Sequence, residues 1–428
     1  MLVLFIGTGV FFSLKLKFFQ LNILKILKET LFSKQEKGDK NTLTPFQTLT
    51  NSLALTTGTG NIVALGTAIA LGGAGAVFWM WVSAVLGMAT TYAENFLGMK
   101  YRKPRPEGGY MGGAFWYIEK AFGGKGAGVF AAKAFALCCV FASLGIGNMT
   151  QINSMSASMQ HSFSTPLWVS GIIAVVPVGL LVFGGAKVLG RVTEKTIPVI
   201  SLVYILGCLA VIFIFIGDVP AVIARIVQEA FGFRAIGGGI AGVGISRAMS
   251  WGFRRGIFSN EAGLGSTVTM NAMSASQDAH KQSQWATLTV FFDTIIISTL
   301  TALPILLTGA DRAFSSLESG DLGVNLASMA FADAFGSYAG MFVTVSVVLF
   351  AIATASGWSV FGALCMEYLF GKRTVKPFLA VFVGFAFIGA IMRLDLVWGM
   401  ADLMNGVMAV PNLLAVMVLG LKGEVREG

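Results

Sequence analysis

Gly58, Thr59, Gly60 and Asn61 interrupt a long apolar run that continues as TTGTGNIVALGTAIALGGAG from Thr56 to Gly75. Glycine weakens a helix through its backbone freedom, and Thr and Asn offer side-chain bonds that compete with the helical ones. In hydrocarbon an unpaired peptide group is costly, so a broken helix persists only where it is buried or lines a cavity. The amides freed by such a break suit a carboxylate, and its free carbonyls suit a small cation. The chemistry expected here is binding of a small zwitterion together with a sodium ion. Close helix packing through small residues is the competing explanation for the glycines.

The elements that must position these residues are membrane helices. The chain has 428 residues, of which 55% are hydrophobic and 12% charged, about half the charge of a soluble domain. Apolar runs of about 20 residues recur from end to end, which marks a polytopic α-helical membrane protein. The net charge of +9 does not point to nucleic acid, because the basic residues fall at the ends of apolar runs and form no motif. Four cysteines lack metal-ligand spacing, and the two histidines stand apart, so no metal centre or cofactor is expected. No nucleophile with a base and no phosphate loop is visible, which argues against an enzyme.

Along the chain a short first span and a lysine-rich segment occupy residues 1–45, a first five-helix group 46–216, a surface connection 217–235 and a second five-helix group 236–428. Alternating the sides from that lysine-rich segment gathers Lys100, Arg102, Lys103, Arg105, Lys187, Arg191, Arg254, Arg255, Lys372 and Arg373 in one set of connections. Such an asymmetry places that set in the cytoplasm, with the N-terminus outside, the C-terminus inside and about eleven spans. Each group opens on a Gly-interrupted helix, TTGTGN in the first and GGGIAGVGIS in the second, and the two groups run in opposite orientation. Corresponding interruptions in inverted halves point to a transport site at the bilayer midplane.

The strings TGTGN, GGAGAVFWMWVSAVLG (Gly72 to Gly87), AENFLGMKYR, GGAFWYIEK, LGIGNMTQINS, RRGIFSNEAGLGS and SGWS, in this order, resemble the alanine/glycine:cation symporter family. The resemblance implies an all-α leucine-transporter-type fold of five plus five inverted helices with one extra N-terminal helix. It also implies sodium-coupled uptake of alanine or glycine across the cell membrane. A proton-coupled transporter and a non-transporting amino-acid sensor are the alternatives.

Under this resemblance Thr59 and Gly60 present backbone amides to the substrate carboxylate. Asn61 offers its side-chain amide to substrate or ion. Carbonyls at Ala54 and Thr57, with the hydroxyls of Thr354 and Ser356, are the expected sodium ligands, and Trp358 is a pocket wall. Asn148 and Gln151, three residues apart on one helix face, offer two more amides. Gly242, Gly244 and Ser246 are expected to give carbonyls to the substrate ammonium. Glu94, Arg254, Arg255 and Glu261 are gate candidates, with Glu94 paired to Lys100 or Arg102. Asp293, alone in an apolar run, is a candidate for a proton or an ion.

Overall fold

Long apolar stretches in lipid have one open-ended solution, the helix, because each peptide group then finds its partner within its own segment. The computed structural model describes residues 2–32, 41–232, 241–312 and 322–426. The chain begins with α1 (Leu2–Lys15) and bends by 72° toward the short α2 (Ile23–Leu31). The first interrupted helix follows as α3 (Pro45–Thr56) and α4 (Val63–Gly72), bent by 58° at the break. Then come α5 (Gly75–Tyr101), a two-stranded antiparallel hairpin of β1 (Lys103–Pro104) and β2 (Tyr110–Met111), and α6 (Ala114–Ala121). A single long span is made by α7 (Ala127–Leu144) and α8 (Thr150–Phe163), and α9 (Leu167–Ile214) and the surface helix α10 (Val219–Ala230) complete the first half.

The second half holds α11 (Ala241–Asn260), α12 (Ser266–Ala272), α13 (Ala279–Val290) and α14 (Ser298–Leu307). It ends with the short α15 (Leu322–Ala330) and α16 (Ala332–Phe335), then α17 (Ala339–Phe370), α18 (Val375–Ile391) and α19 (Leu394–Leu421). Among the described residues 7 helical stretches are long and apolar enough to cross a membrane, or 9 if each bent pair counts as one span.

The 48 residues of α9 are two legs. They make about 72 Å of helix against a hydrocarbon core of about 30 Å, and they turn at Gly185, whose φ of 75° and ψ of 175° are not helical. Thr193 lies inside the second leg and donates to the Leu189 carbonyl. Among the described residues, adding this extra leg and the α11–α12 pair to those nine brings the helical passages through the bundle to about eleven.

One end of the bundle collects the basic residues. Lys100 pairs with Glu424, Lys372 with Glu107, and Arg105 with Glu367 at 2.7 Å. Arg102 donates to the carbonyls of Ala272, Ser274 and Ser276 at 3.2, 2.8 and 2.7 Å. At the same end a bridge between Leu43 and Ser274 ties the entrance of α3 to the exit of α12. The first broken helix therefore starts where the second one finishes. Close packing brings the second against α5: a Cβ added at Gly252 would lie 2.5 Å from the Ala76 carbonyl oxygen.

Candidate functional site

The first break is built as its residue types dictate. Thr44 and Gln47 cap α3 reciprocally, with Pro45 at its first position. The helix runs to Thr56, Gly58 turns extended (φ −102°, ψ −150°), and one tight turn over Thr59–Asn61 leads into α4. Thr57, Gly58, Thr59, Gly60 and Asn61 are all buried, so this irregular backbone faces protein and not lipid.

Three elements meet it. From α8, Gln151 Oε1 accepts from both the backbone N–H and the hydroxyl of Thr59, each at 3.0 Å. From α17, the Thr354 hydroxyl donates to the Ala54 carbonyl at 2.7 Å. A Cβ on Gly58 would stand 2.6 Å from Gln151 Oε1 and 2.8 Å from Thr354 Oγ1, so a residue without one lets both approach. The third element is a widened, π-helical segment, Phe291–Ile297, between α13 and α14. It carries Asp293, which accepts from Asn61 Nδ2 at 2.6 Å, from Ser259 Oγ at 2.6 Å and from Thr57 Oγ1 at 3.1 Å. A second π-helical segment, Gly145–Met149, joins α7 to α8 beside the break. Such one-turn widenings inside α-helices recur at functional sites.

Trp358 of α17 packs on the π-helical segment between α7 and α8. A Cβ on Gly147 would fall 2.3 Å from its Cγ, and the indole N–H donates to Glu261 Oε1 at 2.9 Å. Phe258 covers Gly60, whose Cβ would be 3.3 Å from the ring, and stacks on Trp398 with centroids 4.8 Å apart.

Several residues stand elsewhere than the sequence suggests. The second break is not at Gly242, Gly244 and Ser246. From Ala241 the chain is continuous helix to Asn260, and Gly237, Gly238 and Gly239 lie outside the described residues. Helix rise puts Ser246 about 20 Å and Gly242 about 25 Å along the axis from Ser259. The break falls at SNEAGLG, where Glu261, Gly263 and Gly265 have φ of 55°, 82° and 72°. Glu261 thus belongs to the second break itself, held by Trp358 and by Ser266 Oγ at 2.5 Å.

Asn148 turns away from the first break and donates to the Phe382 carbonyl of α18 at 2.6 Å. Ser356 bonds back to Ile352 at 2.7 Å. Two residues on from Thr354 is about 200° around the helix, so the two hydroxyls cannot face one ion. Glu94 pairs with neither Lys100 nor Arg102. It accepts from Asn412 Nδ2 and from the Gly263 N–H at 3.2 Å. Arg254 and Arg255 are not in a connection at the basic end; they sit on α11 at the level of Met80 and Ser83 of α5, towards α10. There Arg255 is buried, pairs with Asp402 at 3.4 Å and lies over the Trp398 ring at 4.6 Å. Arg254 lines a cavity of about 590 Å³ with Asp402 and Asn405.

Ser259, Thr294, Ser298 and Phe258 escape a reading of local pattern, because single Ser, Thr and Phe residues in helices carry no signal of their own. Together the groups offer amide donors, hydroxyls, amide carbonyls and two carboxylates, Asp293 and Glu261, inside lipid-depth protein. That donor set can hold the two ends of a zwitterion and a hard cation. Among the described residues no group of three or more His, Cys, Asp or Glu side chains has the arrangement of a metal centre.

A family model described as the sodium:alanine symporter family matches residues 1–424. The chain is 39% identical to the sodium/alanine symporter AgcS of Methanococcus maripaludis, over 98% of this chain and 91% of that protein. It is 33% identical to the probable sodium/glutamine symporter GlnT of Bacillus subtilis, over 98% and 85%. Among solved structures, MhsT in complex with L-phenylalanine superposes with a TM-score of 0.59 at 12% identity, covering 91% of this chain and 90% of that one. This last likeness is one of fold, the leucine-transporter type.

Proposed function

Because the chain belongs to the sodium:alanine symporter family, a family of membrane transporters and not of enzymes, we propose that it carries small neutral amino acids, alanine and glycine foremost, into the cell with sodium. The observation that carries this reading is the convergence at Thr59. Its amide and hydroxyl meet the Gln151 side chain beside a wall made by Gly147 and Trp358. Amide donors at a helix break receive a carboxylate, and a wall made by an indole suits a small apolar side chain.

The sodium of this reading lies against α17, where the Ala54 carbonyl and the Thr354 hydroxyl come together. Substrate and ion then share one broken helix, and each raises the affinity of the other reciprocally. Size selection rests on sterics: a hydrophobic wall excludes a longer side chain but separates glycine from alanine by only about 1–3 kcal/mol. The basic end of the bundle is the cytoplasmic one in this reading, with the N-terminus outside and the C-terminus inside.

The test is uptake of labelled alanine into proteoliposomes under an inward sodium gradient, with potassium in the control. Accumulation is expected with sodium and not with potassium, and excess glycine should compete where glutamine does not. Uptake indifferent to sodium and to membrane potential rejects the symport reading.

A further inference from the structure

Arg254 stands on α11 six residues before the second break, about 9 Å along the helix axis. With the break at mid-depth, that level lies inside a hydrocarbon core whose half-thickness is about 15 Å. A guanidinium at such a depth needs an anion. Among the described residues no carboxylate pairs with Arg254. Asp402 shares its cavity but pairs with Arg255 at 3.4 Å. The cavity, about 590 Å³ between α1, α11 and α19, has further walls at Leu2, Val3, Ile257 and Leu403. Val3 is 86% exposed and Leu403 60%, so the mouth opens on the apolar outer surface of the bundle.

Asn405 adds a second demand. It lines the same cavity, is only 4% exposed, and its side-chain oxygen has no donor among the described residues. A buried acceptor left without a donor is costly. Asn405 and Asp402 are three residues apart, so they share a face of α19. The walls thus ask for an anion at Arg254 and for hydrogen-bond donors at Asn405 Oδ1 and the half-exposed Asp402 carboxylate. Taken together, Arg254, Arg255 and Asp402 leave a single positive charge unbalanced.

A neighbouring groove shows what kind of molecule carries these groups. It measures about 540 Å³, lies between α7 and α19, and shares Asp402 and Leu403 with the cavity. Its other walls are Ala134, Cys138, Gly406, Val407, Val410 and Pro411, all without charge. From Asp402 to Pro411 it follows α19 for about 13 Å. It descends toward Asn412, which bonds the Gly263 carbonyl at the second break. A polar hollow that continues into an apolar groove matches a headgroup followed by an acyl chain.

We propose that the two hollows hold one phospholipid from the leaflet at the α10 end. Its phosphodiester lies on Arg254, its hydroxylated headgroup donates to Asn405 and Asp402, and one acyl chain fills the groove between α7 and α19. The guanidinium fork matches phosphate oxygens, and basic hollows between membrane helices recognise anionic headgroups. Phosphatidylglycerol meets each demand, with one negative charge and two hydroxyl donors. A choline headgroup has no donor, and ethanolamine brings a cation where one is already in excess. Bound there, the lipid braces the seam of α11 and α19 at which Arg255 lies over the Trp398 ring.

The experiment strips lipid from the purified protein in mild detergent. It then returns phosphatidylglycerol, phosphatidylethanolamine or phosphatidylcholine with identical chains. Melting temperature and, by native mass spectrometry, the lipid retained are the readouts. One phosphatidylglycerol per chain is expected, with a melting temperature raised further than by the other two lipids. Arg254→Gln should weaken retention roughly tenfold or more, and Asn405→Leu roughly threefold or more even if Arg254→Gln fails to fold. Lys125→Gln, which removes an exposed cation before α7, should keep the wild-type preference. Equal effects of the three lipids overturn the site, and so does a preference for phosphatidylglycerol that survives the cavity variants. A stronger effect of phosphatidylethanolamine overturns it too, since the charge balance would then be wrong. The same shift from soluble glycerol 3-phosphate overturns the lipid in favour of a small anion. No arm uses an amino acid or sodium gradient, so failure here leaves the transport reading standing.

Discussion

Gln151 Oε1 lies 3.0 Å from the backbone nitrogen of Thr59 and 3.0 Å from its hydroxyl, so a side-chain carbonyl from α8 occupies the donors freed by the first break. A carboxylate arriving at Thr59 must share these donors with Gln151 or displace it. Gln151→Glu places a permanent charge there, which satisfies the donors and repels the substrate. Alanine uptake in this variant should fall roughly a hundredfold, chiefly through KM. Gln151→Ala removes the competitor together with a substrate contact, and its KM should rise only about tenfold. The dependence of initial uptake on alanine concentration separates the two, and equal kinetics in Glu, Ala and wild-type proteins would take Gln151 out of the site.

The wall formed by Gly147 and Trp358 makes a second prediction. A Cβ at Gly147 would come 2.3 Å from Trp358 Cγ, so Gly147→Ala must move the indole or the helix, at a cost of about 1–3 kcal/mol. Uptake of alanine should suffer more than uptake of glycine, because the displaced ring intrudes on the space for a side chain. Trp358→Phe keeps the wall and deletes the N–H donated to Glu261. Its cost should appear as lost thermal stability of about 1–3 kcal/mol with KM little changed. Competition assays with glycine, alanine and glutamine, beside melting curves in detergent, check both variants.

The sequence makes the first break legible because its causes are local: two glycines, a threonine and an asparagine inside an apolar run. The second break is harder. Seven residues from Gly237 to Val243 are richer in glycine than SNEAGLG, yet α11 is helical from Ala241, since lipid penalises open backbone more than glycine penalises a helix. What opens the chain later is left-handed backbone at Glu261, Gly263 and Gly265, alternate residues that cannot all sit in one helix. Asn148 and Gln151 share a face by α-helical spacing, but the π-helical segment Gly145–Met149 lies across that interval and rotates one from the other. Asp293 is conspicuous in the sequence. Its partners come from the first break, α11 and α14, and no local pattern could have assembled them.

Towards the α10 end, Arg255 joins α11 to α19 within the second half. Its guanidinium is buried over the Trp398 ring while Asp402 is 39% exposed, so most of its interaction is with the ring. Exposed ion pairs contribute about 0–1 kcal/mol and a desolvated cation over an indole about 2 kcal/mol. Asp402→Asn should therefore lower uptake less than threefold, and Arg255→Ala roughly tenfold or more. Arg255→Lys should recover little, because a lysine lacks the planar group that lies on the ring. If the Asp402 variant proves the more damaging, the ion pair and not the stacking holds this contact.

Glu94 and Asn412 form the joint between α5, α19 and the second break. Asn412 Nδ2 donates to Glu94 Oε1 and to the Gly263 carbonyl at 2.9 Å, the Gly263 N–H donates to Glu94 Oε2 at 3.2 Å, and Tyr117 donates its hydroxyl to Asn412 Oδ1 at 2.5 Å. All three side chains are buried, so no water replaces a lost partner at low cost. Asn412→Ala removes the donor to Glu94, the donor to Gly263 and the acceptor for Tyr117 in one step, and each orphaned group costs about 1–3 kcal/mol. Glu94→Gln keeps an acceptor for the Gly263 N–H but sets an amide against the amide of Asn412, and its cost should be about half as great. Tyr117→Phe removes one donor and should cost least. If the joint positions the left-handed backbone at Gly263 and Gly265, kcat for alanine should fall in the same order as the melting temperature, while the sodium requirement stays near the wild-type value. An Asn412→Ala protein that melts with the wild type, or that loses sodium affinity as steeply as turnover, would show that the joint does not set the second break.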